Sequence, residues 1–455
     1  MNGDGSGYAK LHDFLDPAFA PDGTTPYAGL VLDGGVLYGM TSAGGTNGGG
    51  IIFSMNSDGS GYAKLHNFPE PAVANDGVSP FGSLVMENGV LYGATLAGGA
   101  NGGGVIFSIN ADGTGYIKLH DFLDPPVVND GIAPWAGPVI SGGVLYGTTI
   151  TGGSNGAGIV YSIAKDGSGY TKLHEFPDPV ITSDGMTVFS SVIVENGTIY
   201  GTAFNGGAGW NGGNKNGIVF SMNTDGSGYS ILHDFSTGGS DGANPYGGVT
   251  LAGDKLYGMT TSGGAYGAAP GLGTLYSINT DGSGFTIEHS FAGQLTDGAG
   301  PLGNLTLQGS TIYGMTISGG AYGAAPGYGV VFSYDVPALT PLIDLSVNKR
   351  TFSTTDRLTA TADVAATGTA FRPYVQLIRP GGIVGYFVRD RGLVSTKTQY
   401  IGDGTFLLGQ PIVNYSVLDV GFSNITPGNY VLSAYGEDIF GEVIGLADQE
   451  TLVVQ

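Results

Sequence analysis

Residues 89–122 read GVLYGATLAGGANGGGVIFSINADGTGYIKLHDF, and this stretch recurs six times along the chain. Its Leu/Ile-Tyr-Gly tripeptide places tyrosines at Tyr38, Tyr92, Tyr146, Tyr200, Tyr257 and Tyr313, in steps of 54, 54, 54, 57 and 56 residues. A fixed period of this size marks a repeat architecture, in which each unit buries its apolar face only against its neighbours.

The second unit carries four strand-like runs, at 83–86, 90–95, 104–109 and 116–122. Asn88-Gly89 separates the first pair and Asp112-Gly113 the last. Both dipeptides tolerate positive φ and signal hairpins. Four antiparallel strands, repeated six times, predict a β-propeller. A right-handed β-solenoid fits less well, because its rungs are shorter and lack regular hairpins.

The four strands are named A to D from the axis outward. The chain opens on a D strand, residues 8–14, and its last repeat ends with A, B and C by residue 333. The opening strand is therefore expected to close a sixth blade built from residues 302–333, since an open ring exposes sheet edges. In this order the A–B and C–D hairpins share one face. The long D–A and B–C connections share the other. Insertions at 207–216, 265–273 and 321–329 make the B–C loops the most variable, and variable loops on a regular scaffold are where binding resides.

After Tyr334 the repeat stops. Residues 336–341, VPALTP, form a linker, and residues 342–455 hold short alternating runs. These predict an immunoglobulin-like β-sandwich, although no Cys-Trp-Cys signature is present. The expected fold is all-β: a six-bladed propeller over residues 1–335, then an Ig-like sandwich over 342–455.

Composition supports this reading. Glycine is 86 of 455 residues, about 19% against a usual ~7%, as many short strands joined by tight turns require. Cysteine is absent, which excludes disulfides and thiolate metal sites. The net charge is −22. Residues 1–335 hold 7 lysines, no arginine and 26 acidic residues, or −19; the remainder is −3. Such an acidic surface disfavours nucleic acid as a partner. No run of 18 apolar residues is present, so no membrane span is expected. No signal peptide is visible. Met1 to Tyr8 aligns with Met55 to Tyr62, so Met1 occupies an ordinary repeat position, compatible with a removed secretion signal.

The pattern LYG…GG…[FY]S…DGSGY..LH.F over residues 1–333 resembles the GloVer-type tandem repeat of secreted bacterial proteins. The resemblance implies a bacterial extracellular or cell-surface protein. It brings no catalytic residues and no cofactor with it.

All six histidines, His12, His66, His120, His174, His233 and His289, occupy one repeat position. Catalysis breaks repeat symmetry, because one site needs a unique acid, base or nucleophile. A packing or hydrogen-bonding role between blades is therefore expected of them. Asp22, Asp76, Asp130, Asp184, Asp241 and Asp297 also recur, each in an Asp-Gly before strand A. On the long-loop face they can bind a cation such as Ca2+; the competing reading is an Asp-Gly turn that caps local amides. Trp135 aligns with Tyr27, Phe81, Phe189 and Tyr246 and reads as scaffold. Trp210 lies in a unique Asn/Gly-rich insertion, and Tyr266, Tyr322 and Tyr328 lie in the other two. Exposed rings among such residues can stack on a sugar or a partner surface.

All arginines are in the last 120 residues, and Arg350, Arg372, Arg379, Arg389 and Arg391 are candidates for an interface with carboxylates. A polysaccharide lyase needs cations against a uronate, and a glycosidase needs a unique carboxylate pair. The repeat region has no arginine, its histidines are all repeat-equivalent, and most of its acids recur with the repeat. The function expected is a non-enzymatic surface or matrix protein, with the propeller as a rigid binding or assembly body. It is expected to self-assemble head to tail into a fibre through the C-terminal module. A glycan-binding lectin is the alternative, and a polysaccharide lyase or glycosidase the third reading.

Overall fold

The computed structural model describes residues 9–14, 22–69, 76–123, 129–177, 184–207, 216–235, 240–266, 271–293, 297–321 and 328–336, and the backbone of the strands between 343 and 454. The chain divides into two compact units, Met1–Asp335 and Val336–Gln455.

The first unit is a six-bladed β-propeller. In the second blade, Val85–Glu87 (A), Val90–Thr95 (B), Val105–Asn110 (C) and Ile117–Asp121 (D) pair antiparallel in that order. The A–B hairpin turns on Asn88 (φ 52°) and Gly89 (φ 77°), the two positive values that a type I′ turn requires. Strand A begins two residues later than the sequence run, because Ser83 and Leu84 are used elsewhere. Ser83 Oγ accepts the Gly29 amide of the preceding blade, and Leu84 is buried in the core between the two blades.

That core sits between blades rather than within them. Tyr38, Met40, Ile52 and Phe68 of the first blade meet Leu84, Leu91, Val105, Phe107 and Ile109 of the second. The inner strands converge to backbone contact. A Cβ added to Gly137 would meet the Ser83 carbonyl at 1.8 Å, so only glycine fits there. The loops sort by face as expected. Ser57 of a C–D turn donates to Gly35 of the A–B turn, and Gly45 after strand B donates to Asp22 before strand A.

Each C–D pair carries a β-bulge. Ile106 opposes His120 and Phe107 opposes Lys118, which leaves Leu119 out of the ladder. One feature was not anticipated: Gly77–Val78 pairs with Ala97–Gly98 in a two-residue ribbon on the long-loop face. The first, third, fourth and sixth blades repeat it.

The sixth blade departs from expectation. Its strands are Thr306–Gln308, Thr311–Gly319 and Val331–Asp335. Among the described residues, Val331–Asp335 pairs only with Thr311–Gly319, and residues 9–14 form no strand. Phe14 packs on Phe53 of the first blade, as Phe68 after the first blade's D strand packs on Phe107 of the second. Two faces are open among the described residues. Met315 is 60% exposed where its equivalent Met259 is 2% exposed, and Leu30 is 54% exposed where Leu84 is 5%.

The second unit is all-β. Ile343–Val347, Arg357–Val364 and Ile412–Gly421 form one antiparallel sheet. Ala370–Arg379, Gly428–Glu437 and Asp448–Val454 form the centre of a larger one.

Candidate functional site

The repeat histidine closes the junction between blades. It stands near the end of strand D, and the aspartate of the following D–A connection returns to it. The His Nε2 to carboxylate distances are 3.0 Å (His12–Asp22), 3.0 Å (His66–Asp76), 2.9 Å (His120–Asp130), 2.9 Å (His174–Asp184), 3.2 Å (His233–Asp241) and 3.2 Å (His289–Asp297). A tyrosine of the next repeat then donates its phenol to the same carboxylate. Tyr62 reaches Asp22 at 2.5 Å, Tyr116 reaches Asp76 at 2.6 Å, and Tyr170 reaches Asp130 at 2.5 Å. Tyr229 bonds Asp184 in the same way. Each of these rings lies flat on its histidine, as in the His120–Tyr170 stack at 3.7 Å and 13°. At the fifth junction Phe285 supplies the ring, 3.6 Å from His233, without a phenol.

These contacts set the charge state. Burial alone would raise the Asp76 carboxyl. Bonds from His66, Tyr116 and the Gly77 amide outweigh it and hold the group below the usual carboxylate range. Asp22 and Asp130 are lowered by the same balance. Each is therefore an ionised acceptor, and the histidine Nε2 donates. Burial, followed by the adjacent carboxylate, pushes the phenols of Tyr62, Tyr116, Tyr170 and Tyr229 far up, so they stay protonated.

The six aspartates are thus distributed one to a junction. Among the described residues, no group of three or more His, Asp or Glu side chains is placed to hold a metal ion.

A second repeated feature lies at the start of strand A. Tyr27, Phe81, Trp135, Phe189 and Tyr246, one per blade, contact each other in sequence. Tyr27 stacks on Phe81 at 5.1 Å, and Phe81 stacks on Trp135 at 4.5 Å. Trp135 meets Phe189 edge-on at 5.7 Å, and Phe189 stacks on Tyr246 at 4.8 Å. Four of these rings are half-buried, and Tyr27 is exposed. The sixth position is Leu302.

Two residues before each aromatic, the backbone is left-handed: Thr25 (φ 55°), Ser79 (54°), Ala133 (59°), Thr187 (60°) and Asn244 (59°). For β-branched threonine this is an outlier, with a cost of about 1–3 kcal/mol. Hydrogen bonds to the preceding blade hold the turn, from Ser79 to the Gly49 carbonyl, Ala133 to Gly103 and Thr187 to Ala157.

The sequence-predicted site residues are scattered. Tyr266 and Tyr328 are exposed on the B–C connections of the fifth and sixth blades. Trp210, Tyr322, Arg350, Arg389 and Arg391 lie outside the described residues. Arg372 and Arg379 fall on the strand Ala370–Arg379. Sequence reasoning missed the junction tyrosines and the exposure of the aromatic arc. Alignment of Trp135 with four other aromatics was the available signal.

Among solved structures, the chain is similar to the extracellular domain of a one-component system from B. thetaiotaomicron. The identity is 12%, with 94% of this chain and 48% of that chain covered and a TM-score of 0.40. It is also similar to a puromycin-hydrolyzing peptidase of Mycobacterium tuberculosis, at 12% identity, 76% and 51% coverage and a TM-score of 0.40. An alpha-L-arabinofuranosidase from Clostridium thermocellum aligns at 13% identity, 59% and 93% coverage and a TM-score of 0.32. The chain spans about half the length of the first of these. A search of curated proteins finds no match. The family signal lies in the repeat itself: the Gloeobacter/Verrucomicrobia repeat matches residues 1–125 and 209–365. That is more than half of the chain, and it contains four of the six His–Asp junction pairs; the protein belongs to the Gloeobacter/Verrucomicrobia repeat family.

Proposed function

We propose that the protein is a non-enzymatic binding body of the bacterial cell surface or extracellular matrix, in which a rigid propeller presents a ligand surface and an Ig-like C-terminal module tethers it. The observation that carries this reading is the use of the repeat histidines and aspartates. Every one of the six pairs is spent on a junction between blades, and a symmetric set leaves no unique acid–base pair for chemistry. The surface that remains chemically distinctive is the arc of aromatic rings near the axis.

The test combines binding with turnover. Fluorescently labelled full chain is incubated with bacterial envelopes and extracellular polysaccharide, and reducing ends and unsaturated uronates are measured alongside. Saturable binding without product is expected. Steady product release, lost on a single substitution, would make the protein an enzyme.

Charge asymmetry favours a second role in assembly. The first 335 residues carry −19 and no arginine, whereas the last 120 carry every arginine. An arginine-bearing patch docking on the next propeller makes a head-to-tail contact, which yields rings or fibres. Light scattering and negative-stain images of the full chain and of residues 1–335 test this. Monodisperse monomers of the full chain at high concentration would end it.

A further inference from the structure

Five of the six junction histidines carry an aromatic ring flat on one face. Tyr62, Tyr116, Tyr170, Tyr229 and Phe285 cover His12, His66, His120, His174 and His233. The sixth differs. Among the described residues no ring stacks on His289. Its side chain is 47% exposed, against 10–20% for the other five.

The remaining parts of the junction are in place. At the third junction Asp130 receives four donors. These are His120 Nε2 at 2.9 Å, the Leu123 amide at 3.1 Å, the Gly131 amide at 2.7 Å and the Tyr170 phenol at 2.5 Å. Among the described residues Asp297 receives the same set less the phenol: His289 Nε2 at 3.2 Å, the Ala292 amide at 2.8 Å and the Gly298 amide at 2.8 Å. The aromatic walls match as well. Phe122 stands edge-on to His120 at 4.9 Å and to Tyr161 at 5.5 Å. Phe291 stands edge-on to His289 at 4.9 Å and to Phe332 at 5.2 Å. At the third junction those walls border the Tyr170 ring, Phe122 at 6.3 Å and Tyr161 at 5.9 Å.

We propose that the sixth junction is a binding site for a para-hydroxyphenyl ring, the side chain of a tyrosine. The ring lies flat on His289, bordered by Phe291 and Phe332, and its hydroxyl donates to Asp297. Tyr62, Tyr116, Tyr170 and Tyr229 make these same contacts within the molecule, so the ligand is defined by four filled copies of its own site. Two terms favour it: the aromatic stack and a hydrogen bond to a charged acceptor. The hydroxyl is required because Asp297 offers an acceptor. The ring has two possible sources with one chemistry. Tyr8, the sequence equivalent of Tyr62, lies outside the described residues, and a tyrosine of another polypeptide presents the same group. The site stands whether or not the propeller is a binding body.

The experiment follows the imidazole resonances of the histidine-labelled full chain by NMR while N-acetyltyrosinamide or N-acetylphenylalaninamide is added. The same titration of Tyr8→Ala separates the two sources. The tyrosine compound is expected to shift one imidazole of the six, the one missing from the spectrum of His289→Gln. The phenylalanine compound should bind about tenfold more weakly, the worth of a hydrogen bond to a charged group. A shift in the parent and in Tyr8→Ala alike assigns the site to an external tyrosine. A shift in Tyr8→Ala alone shows that the chain's own Tyr8 fills it. No shift of the His289 resonance in either protein would overturn the site, as would equal affinity for the two compounds. Thermal melting controls for folding. Should Tyr8→Ala fail to fold, nuclear Overhauser contacts of His289 in the parent decide. Contact with a phenolic ring, from Tyr8 or from the probe, supports the site, and contact with neither overturns it.

Discussion

His66 lies face to face on Tyr116 of the following repeat, ring centroids 4.0 Å apart and planes 6° from parallel, while both side chains bond the carboxylate of Asp76. One contact thus joins two outer strands and the connection between them. Its aspartate is charged and partly buried, so its value depends on keeping all donors in place.

Tyr116→Phe keeps the stack and removes one donor. A hydrogen bond to a charged group of this kind is worth about 1–2 kcal/mol, and the variant is expected to melt lower by a corresponding amount. The fifth junction, with Phe285 at the same place, indicates that the blade pair still forms. Chemical denaturation of the two forms checks the figure, and equal midpoints would show that the phenol contributes nothing.

His120→Gln retains an N–H donor but loses the stack on Tyr170, whose centroid is 3.7 Å away. Loss of an aromatic pair costs about 1 kcal/mol. Stability should fall, while any glycan or envelope binding stays as in the parent. A variant that melts normally and no longer binds would place the histidine in a ligand site.

The depressed carboxyls of Asp22, Asp76 and Asp130 give the sign of the acid response. Their folded values lie below the ordinary 3.8. Their contribution is therefore complete above pH 3.8 and is lost as pH falls from there through the folded values. Denaturation midpoints measured at fixed salt should decline below pH 3.8. The decline should be shallower in Asp76→Asn, which starts from a lower plateau. A slope unchanged by that substitution would remove Asp76 from the account.

The open faces of the first and sixth blades predict the effect of truncation. Among the described residues Val331–Asp335 pairs on one side only, and Met315 and Val331 of the sixth blade and Leu30 and Leu32 of the first are exposed. Deletion of residues 1–14 removes Phe14 from Phe53 and His12 from Tyr62, which bares more of the first blade. Self-association or a broadened unfolding transition is expected, read by sedimentation velocity and calorimetry. A monomer that melts like the parent would show that the opening segment has no part in the ring.

Much of this architecture is written in the period. The tyrosine spacing and the Asn88-Gly89 type of turn locate blades and hairpins, because both act within a few residues. The equivalence of the six histidines was enough to assign them to the junctions. Their tyrosine partners were not legible. Tyr116 follows Asp76 by 40 residues, and a contact that recurs with the repeat leaves no pattern beyond the repeat itself. Alignment placed Tyr27 with Trp135, but period fixes position and says nothing of solvent access. The unclosed sixth blade was illegible for a related reason. Its strand C has the same apolar character as the others, and the exposure of Val331, Ser333 and Asp335 distinguishes it.

The junction also orders events at the ribosome. His66 and Asp76 leave the exit tunnel well before Tyr116, so each new blade must wait for the next outer strand before its lock can shut. The last pair, His289 and Asp297, is the exception. Among the described residues no tyrosine stacks on His289, and Tyr8 is the sequence equivalent of Tyr62 and the other junction tyrosines.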